Sequence, residues 1–272
     1  MTAGLSQRAF EAVTGLFREV SGIQLTEAKQ ALVVGRLQRL AQEAGDASLE
    51  AYVERMTRPN APAAEMTRLI DRLTTNETYF FREPQHFNDL ADRLREHAAH
   101  GNGREFLVWS GASSSGEEAY SIAMLMADVL GLKAPWRVIG TDLSTAMVAA
   151  AQRGLYPLDR ARMVPPEYLK RFCLKGQGAH DGQLLVAKAV RARVQFEPAN
   201  LMQPLPKGLP QFDVIFLRNV LIYFDAEAKA AILRRVIERL NPDGVLYTGH
   251  AESIANLQLP LRTVATSIHR HA

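Results

Sequence analysis

The chain has 272 residues, 47% of them apolar and 22% charged, enough to bury a core in one large domain or two smaller ones. A single cysteine, Cys173, excludes an internal disulfide and a metal site built from paired thiolates. With no signal-like start and no apolar run of the roughly 18 residues a membrane span needs, the sequence reads as cytoplasmic, without direct membrane insertion. A formal charge of +3 with a pI near 9.1 is mild and spread along the chain, which leaves nucleic-acid binding without a supporting motif.

Residues 5 to 73 carry helical signals alone: FEAVTGLFREV, then TEAKQALVVGRLQRLAQEA with Thr26 as its expected N-cap, SLEAYVERM, and AAEMTRLIDRL. RPNAP at 58 to 62 separates the last two helices, because Pro59 and Pro62 continue neither. From residue 104 the pattern alternates: EFLVWS, EEAYSIAMLMADVL, WRVIGTDL, STAMVAAAQRG, RVQFEPANL, FDVIFLRN, AEAKAAILRRVIERL and GVLYTGH. Short apolar strands followed by helices predict a doubly wound α/β domain with a parallel sheet, closed by a strand pair from LRTVATSI. The interval from Leu155 to Arg193 breaks the alternation and is too long for an ordinary connection, so it predicts an insertion with short strands of its own.

In open α/β sheets the ligand lies beyond the carboxyl ends of the strands, and GASSSGEE, residues 111 to 118, follows the first of them. A phosphate loop continues G-K-[ST], whereas Glu117 and Glu118 follow the second glycine here and would repel a phosphate. The G-x-G-x-x-G fingerprint of dinucleotide binding is absent, since position 113 is serine. A cationic ligand free of phosphate fits better, and S-adenosylmethionine carries both an ammonium and a sulfonium. At an effective dielectric near 20, opposite charges about 4 Å apart attract by roughly 4 kcal/mol before desolvation. Asp142, at the end of the second strand, stands where an acid accepts hydrogen bonds from both ribose hydroxyls. The competing structural roles are helix-dipole stabilisation for Glu117 and Glu118 and N-capping for Asp142.

Five segments together resemble the CheR-type protein-glutamate O-methyltransferases that modify chemotaxis receptors. They are LTTNETYFFREPQHF at 73 to 87, WSGASSSGEEAYSIAM at 109 to 124, IGTDLS at 139 to 144, FDVIFLRNVLIYFD at 212 to 225 and LNPDGVLYTGHAES at 240 to 253. The resemblance implies a Rossmann-like methyltransferase sheet, a small all-α N-terminal domain over residues 1–73, and a methyltransferase domain over 74–272. The latter is expected to hold a linker at 74–90 and a small antiparallel β-subdomain inserted near 160–196. It further implies S-adenosyl-L-methionine as methyl donor and S-adenosyl-L-homocysteine as product. Asn76, Thr78 and Arg82 are expected to cap the cofactor, Glu117 to meet its methionine end and Asp142 its ribose. Asn200 with Leu201 is expected beside the adenine, and Asn219 with Val220 after the fourth strand.

Arg82 and Tyr223 are the residues expected to orient the substrate carboxylate. The implied partner is the cytoplasmic helical bundle of methyl-accepting receptors, met by a basic stripe of Lys29, Arg36 and Arg39, which lie within about 80° of one another on a helical wheel. A receptor C-terminal tail peptide is a further partner, added as a strand at the loop of Gly176, Gly178 and Gly182. Tyr79, Phe80 and Phe81 are read as interdomain core. The seven histidines form no metal-ligand set by spacing, no Ser-His-Asp arrangement is present, and the expected state is a monomer. Two other functions compete: a small-molecule O-methyltransferase with a closed pocket, and a non-catalytic adaptor that senses the cofactor.

Overall fold

A computed structural model describes residues 5–100 and 103–272; residues 1–4, part of the expected helical domain, and 101–102, in the turn HAAHGNG, lie outside it. Four helices open the described chain: α1 (Gln7–Ser21), α2 (Gln30–Ala44), α3 (Leu49–Met56) and α4 (Ala63–Leu73). Ser6 caps α1 by accepting from the Ala9 N–H, and Gly22 ends it at φ 75°. The structure departs from the expectation at Thr26. It precedes a 3-10 turn, Glu27–Lys29, without a side-chain cap, and α2 begins only at Gln30. Arg55 joins α3 to α4 by donating to Asp46 at 2.7 Å and Glu65 at 2.8 Å.

The remaining elements are α5 (Pro84–His100), β1 (Phe106–Gly111), α6 (Glu117–Val129), β2 (Trp136–Asp142), α7 (Thr145–Arg153) and β3 (Leu155–Pro157). They continue with α8 (Pro166–Phe172), β4 (Cys173–Lys175), β5 (Gln183–Val186), α9 (Lys188–Arg191) and β6 (Val194–Pro198). The chain closes with β7 (Phe212–Leu217), α10 (Ala226–Ile237), β8 (Leu240–Thr248), β9 (Leu261–Ala265) and β10 (Ile268–His271). The main sheet has seven strands in the order β6-β2-β1-β7-β8-β10-β9, parallel from β6 to β8 and antiparallel at the closing pair. Strand order therefore reverses between β1 and β7, which opens a crevice at their carboxyl ends. The inserted subdomain is an antiparallel sheet ordered β3-β5-β4; it starts at Leu155, earlier than 160, and β6 already belongs to the main sheet.

Successive residues of the parallel strands face opposite ways and build two cores. Val108, Val214, Phe216, Val245 and Tyr247 pack with α5, α6 and the inserted subdomain. Trp109, Ile215, Leu217 and Leu246 pack with α10 and the four N-terminal helices, so the helical domain shares a core with one face of the sheet. Phe80 and Phe81 belong to the first of these cores, packed on Tyr156 at 5.0 Å and on Phe87 at 5.0 Å, and thus are not interdomain. The adjacent Tyr79 is left outside, 40% exposed, and the backbone then turns at Phe81 and Glu83, both in the left-handed region.

Candidate active site

A cleft of about 520 Å³ lies over the carboxyl ends of β1, β2, β6 and β7 and is walled on the other side by the helical domain. Its floor is the loop after β1, with Ala112 at φ 58°, Ser114 at φ 51° and Gly116 at φ 95°. A Cβ at Gly116 would stand 2.8 Å from Ala151 Cβ, so glycine is required by space as well as by conformation. Three of the loop's N–H groups are engaged within the protein: Ser113 donates to Thr141 O at 2.8 Å, Ser114 to Asp142 Oδ2 at 2.7 Å and Gly116 to Ser113 O at 3.0 Å. A phosphate cradle needs its donors free, and these three are already engaged.

Of the two acids that open α6, Glu118 lines the cleft and Glu117 does not. Residues one apart on a helix diverge by about 100°, so the pair cannot share a direction. Glu117 is fully buried against the inserted subdomain, accepting from Arg160 Nη1 at 2.8 Å and Ser115 Oγ at 2.6 Å. This corrects the expectation that Glu117 meets the methionine end. Glu118 accepts from Ser110 Oγ at 2.7 Å and lies 3.4 Å from Arg218 Nη1. Burial raises its pKa, an effect that Arg218 and Ser110 oppose. Arg218 itself is 1% exposed, lines the cleft, and leaves Nε and Nη1 without a hydrogen-bond partner, as does the buried Ser113 Oγ. Sequence named Glu118 in the acid pair but assigned the methionine end to Glu117 alone, and it did not single out Arg218. The signal for Arg218 was a lone charge closing the apolar run FDVIFL.

Asp142 is 5% exposed at the end of β2, accepting from the Ser114 N–H and, at 2.8 Å, from the Ser144 N–H. Burial pushes its pKa up to about 6 against these hydrogen bonds. Asp142 lines the cleft but does not cap α7: Ser144 is the N-cap, accepting from the Met147 N–H, and Asp142 only holds the Ser144 N–H in front of it. Asn76 and Thr78 lie in the linker that edges the cleft, and the Asn76 carbonyl accepts from Ser114 Oγ at 3.1 Å. Arg82 stands at the same edge, its guanidinium 5.5 Å from the centre of the Tyr79 ring. Leu201 and Asn200 line the far end, but both ends of the Asn200 amide are engaged, donating to Val20 O at 2.7 Å and accepting from the Met202 N–H at 2.9 Å. Asn219, at φ 57°, and Val220 line the cleft after β7, followed by Tyr223, whose pKa is raised by burial and by Glu77.

The expected basic stripe is not a uniform surface. Lys29 is exposed at the cleft mouth, and Arg39 is paired with Glu43 at 2.7 Å. Arg36 turns inward, donating to Leu73 O at 2.7 Å and to Thr74 O at 3.2 Å, where it satisfies the carbonyl end of α4. Gly176, Gly178 and Gly182 shape the β4–β5 turn: a Cβ at Gly176 would lie 1.8 Å from His180 O, and the other two have φ 58° and 75°.

Two histidines that sequence spacing did not connect, His86 and His250, meet Glu83 with ligand atoms within 4.8 Å of one another. Glu83 Oε2 is already 3.2 Å from Arg218, and Oε1 accepts from Asn219 Nδ2 at 3.3 Å and from the His250 N–H at 3.4 Å. A guanidinium thus supplies the countercharge, which opposes a metal ion there. Although burial works against ionisation of Glu83, Arg218 keeps its pKa below the usual range.

Residues 8–74 match the model of the CheR methyltransferase all-alpha domain, and residues 76–269 that of the CheR methyltransferase SAM binding domain. The chain is 39% identical to the chemotaxis protein methyltransferase of Salmonella typhimurium over 93% of its own length and 86% of that protein. It is 38% identical to the Escherichia coli protein of the same description, over 93% and 87% of the two chains. Chemotaxis protein methyltransferase 2 of Pseudomonas aeruginosa is 34% identical over 97% and 92%. With both domains matched and a cleft whose acids and loop suit a sulfonium donor better than a phosphate, the chain belongs to the CheR methyltransferase family and is an S-adenosylmethionine-dependent enzyme.

Proposed function

We propose that the chain methylates glutamate side chains of methyl-accepting chemotaxis receptors, acting as a cytoplasmic monomer on their helical bundle. The observation that carries this reading is the juxtaposition, at one cleft, of an acid-lined floor and an open rim of Tyr79, Arg82, Ile222 and Tyr223. Ile222, 49% exposed, and Tyr79 give that rim apolar surface for a docked helix. No helix among the described residues is long and apolar enough to cross a membrane.

The residues present fit the methyl donor. Glu118 faces the end of the cleft suited to an ammonium, Arg218 brings unpartnered donors suited to a carboxylate, and Asp142 suits ribose hydroxyls. When bound, S-adenosylmethionine supplies an electrophilic methyl group on sulfonium sulfur. A glutamate with a pKa of about 4.3 is already ionised at neutral pH, so the protein has no proton to remove. General-base help is worth about 10²- to 10⁴-fold, whereas holding reactants in attack geometry supplies roughly 7 to 11 kcal/mol. Arg82 and Tyr223 do that holding: the guanidinium pairs with one carboxylate oxygen and the phenol donates to the carboxylate, leaving an oxygen lone pair aimed into the cleft. Lys29 and Arg39 favour an acidic receptor helix by charge, and β4, an edge strand with Leu174 57% exposed, offers a place for a receptor tail.

Incubation with labelled S-adenosylmethionine and receptor cytoplasmic fragments, followed by alkaline treatment, is expected to release labelled methanol. A base-stable product would exclude a glutamate ester. Arg82→Ala is expected to lower turnover with cofactor affinity measured alongside; an unchanged rate removes Arg82 from the reaction.

A further inference from the structure

Glu252 does not line the cleft, yet it is 6% exposed in the turn after β8, and no cation pairs with it among the described residues. Three backbone N–H groups converge on its carboxylate instead. Asn219 N donates to Oε2 at 2.8 Å, Gly249 N to the same oxygen at 2.6 Å, and Ile222 N to Oε1 at 3.2 Å. Burying a carboxylate is costly unless such charge-assisted bonds replace its water, so the acid answers to those donors.

The donors belong to the turns after β7 and after β8. The first of these turns holds Asn219 at φ 57°, then Val220, then a 3-10 turn, Leu221–Tyr223. Tyr223 thus hangs from a segment that Glu252 grips at both ends. From the opposite side the Tyr223 carbonyl accepts from the Gln24 N–H, in the loop after α1, at 3.3 Å. Gly249 lets the two turns approach: a Cβ there would stand 2.8 Å from Glu252 Oε2 and 2.9 Å from Asn219 N.

We infer that Glu252 is a positioning residue, which clamps the turns after β7 and β8 together and so sets where the Tyr223 ring stands over the cleft. The inference rests on the reading that Tyr223 orients the substrate carboxylate. Glutamine is nearly isosteric, but it offers one oxygen and one NH2. The NH2 must face either the Ile222 N–H or the Asn219 and Gly249 N–H groups, donor against donor, and the turn shifts.

The test compares Glu252→Gln, Tyr223→Phe and the double variant in receptor methylation, with circular dichroism and cofactor calorimetry on each. Glu252→Gln is expected to lower kcat by about ten- to a hundredfold with little change in receptor KM. In the Tyr223→Phe background the same substitution is expected to cost less than about threefold more, because residues acting as a unit are not additive. If Tyr223→Phe is impaired while Glu252→Gln is inert, or the two losses multiply, the inference is overturned and the reading of Tyr223 stands. If Tyr223→Phe is as active as the parent, that reading falls and takes the inference with it. Should Glu252→Gln not fold, Gly249→Ala keeps the carboxylate and presses on the same contact; the same non-additivity is expected, and multiplied losses overturn the proposal.

Discussion

Replacing Glu118 with glutamine tests which of two adjacent acids meets the methyl donor. The Glu118 carboxylate is 16% exposed at the head of α6, held by Ser110 Oγ at 2.7 Å and faced by Arg218 Nη1 at 3.4 Å. A cation about 4 Å from such a charge gains roughly 4 kcal/mol at an effective dielectric near 20, and desolvation takes part of it back. Hydrogen bonds to charged groups retain about 1.5 to 3 kcal/mol net, equivalent to a roughly 10- to 150-fold weaker Kd. Calorimetry with S-adenosylmethionine and S-adenosylhomocysteine measures it directly. Glu117→Gln is the control, since its partner Arg160 is 45% exposed and water-screened on the side away from the cleft; a change of less than about fivefold is expected. Because burial raises the Glu118 pKa, wild-type affinity is also expected to fall as the pH drops through that raised value, and the glutamine variant to lack this dependence. If Glu117→Gln loses affinity and Glu118→Gln binds like the parent, the assignment drawn from the helix geometry is wrong.

Three further outcomes follow from the same contacts. Burial pushes the Asp142 pKa up from the ordinary 3.8 to about 6, so its protonated form is favoured by folding. The stability it adds is present below the unfolded pKa and lost as pH rises through 6, a change of about 3 kcal/mol. Denaturant titrations of wild type and Asp142→Asn at pH 4.5 and 7.5 are expected to show Asp142's advantage over asparagine shrinking with pH; a constant difference would contradict the shift. Arg36→Ala is expected to destabilise the protein by about 1.5 to 3 kcal/mol in urea unfolding, because it strips the carbonyl end of α4 of its donor. An unchanged midpoint would return Arg36 to the solvated stripe. Gly116→Ala is expected to cost about 2 kcal/mol or more and to abolish cofactor binding, since a Cβ would stand 3.0 Å from both Phe196 and the Tyr156 hydroxyl at φ 95°; near-normal affinity would show that the loop tolerates the shift.

What sequence alone determined follows from local patterns. Apolar runs of β1, β2 and β7 with helices between them dictate a parallel, doubly wound sheet, and the helical period of residues 5 to 73 dictates an all-α N-terminal part. The loop GASSSGEE excludes a phosphate by its lack of lysine and its two acids, which is a matter of residue type and needs no coordinates. Direction and company are different. Glu117 and Glu118 are neighbours in sequence, and only the rotation of α6 against the sheet decided that one faces Arg160 and the other the cleft. Arg36 looked like one member of a basic stripe until the end of α4 was brought beneath it. Arg218 meets Glu83, and the Asn219 N–H meets Glu252, across turns separated by 30 or more residues, contacts that no spacing rule encodes. Local periodicity is a property of one segment, whereas a side chain's partner is set by packing between segments distant in the chain, and there the tertiary structure alone decides.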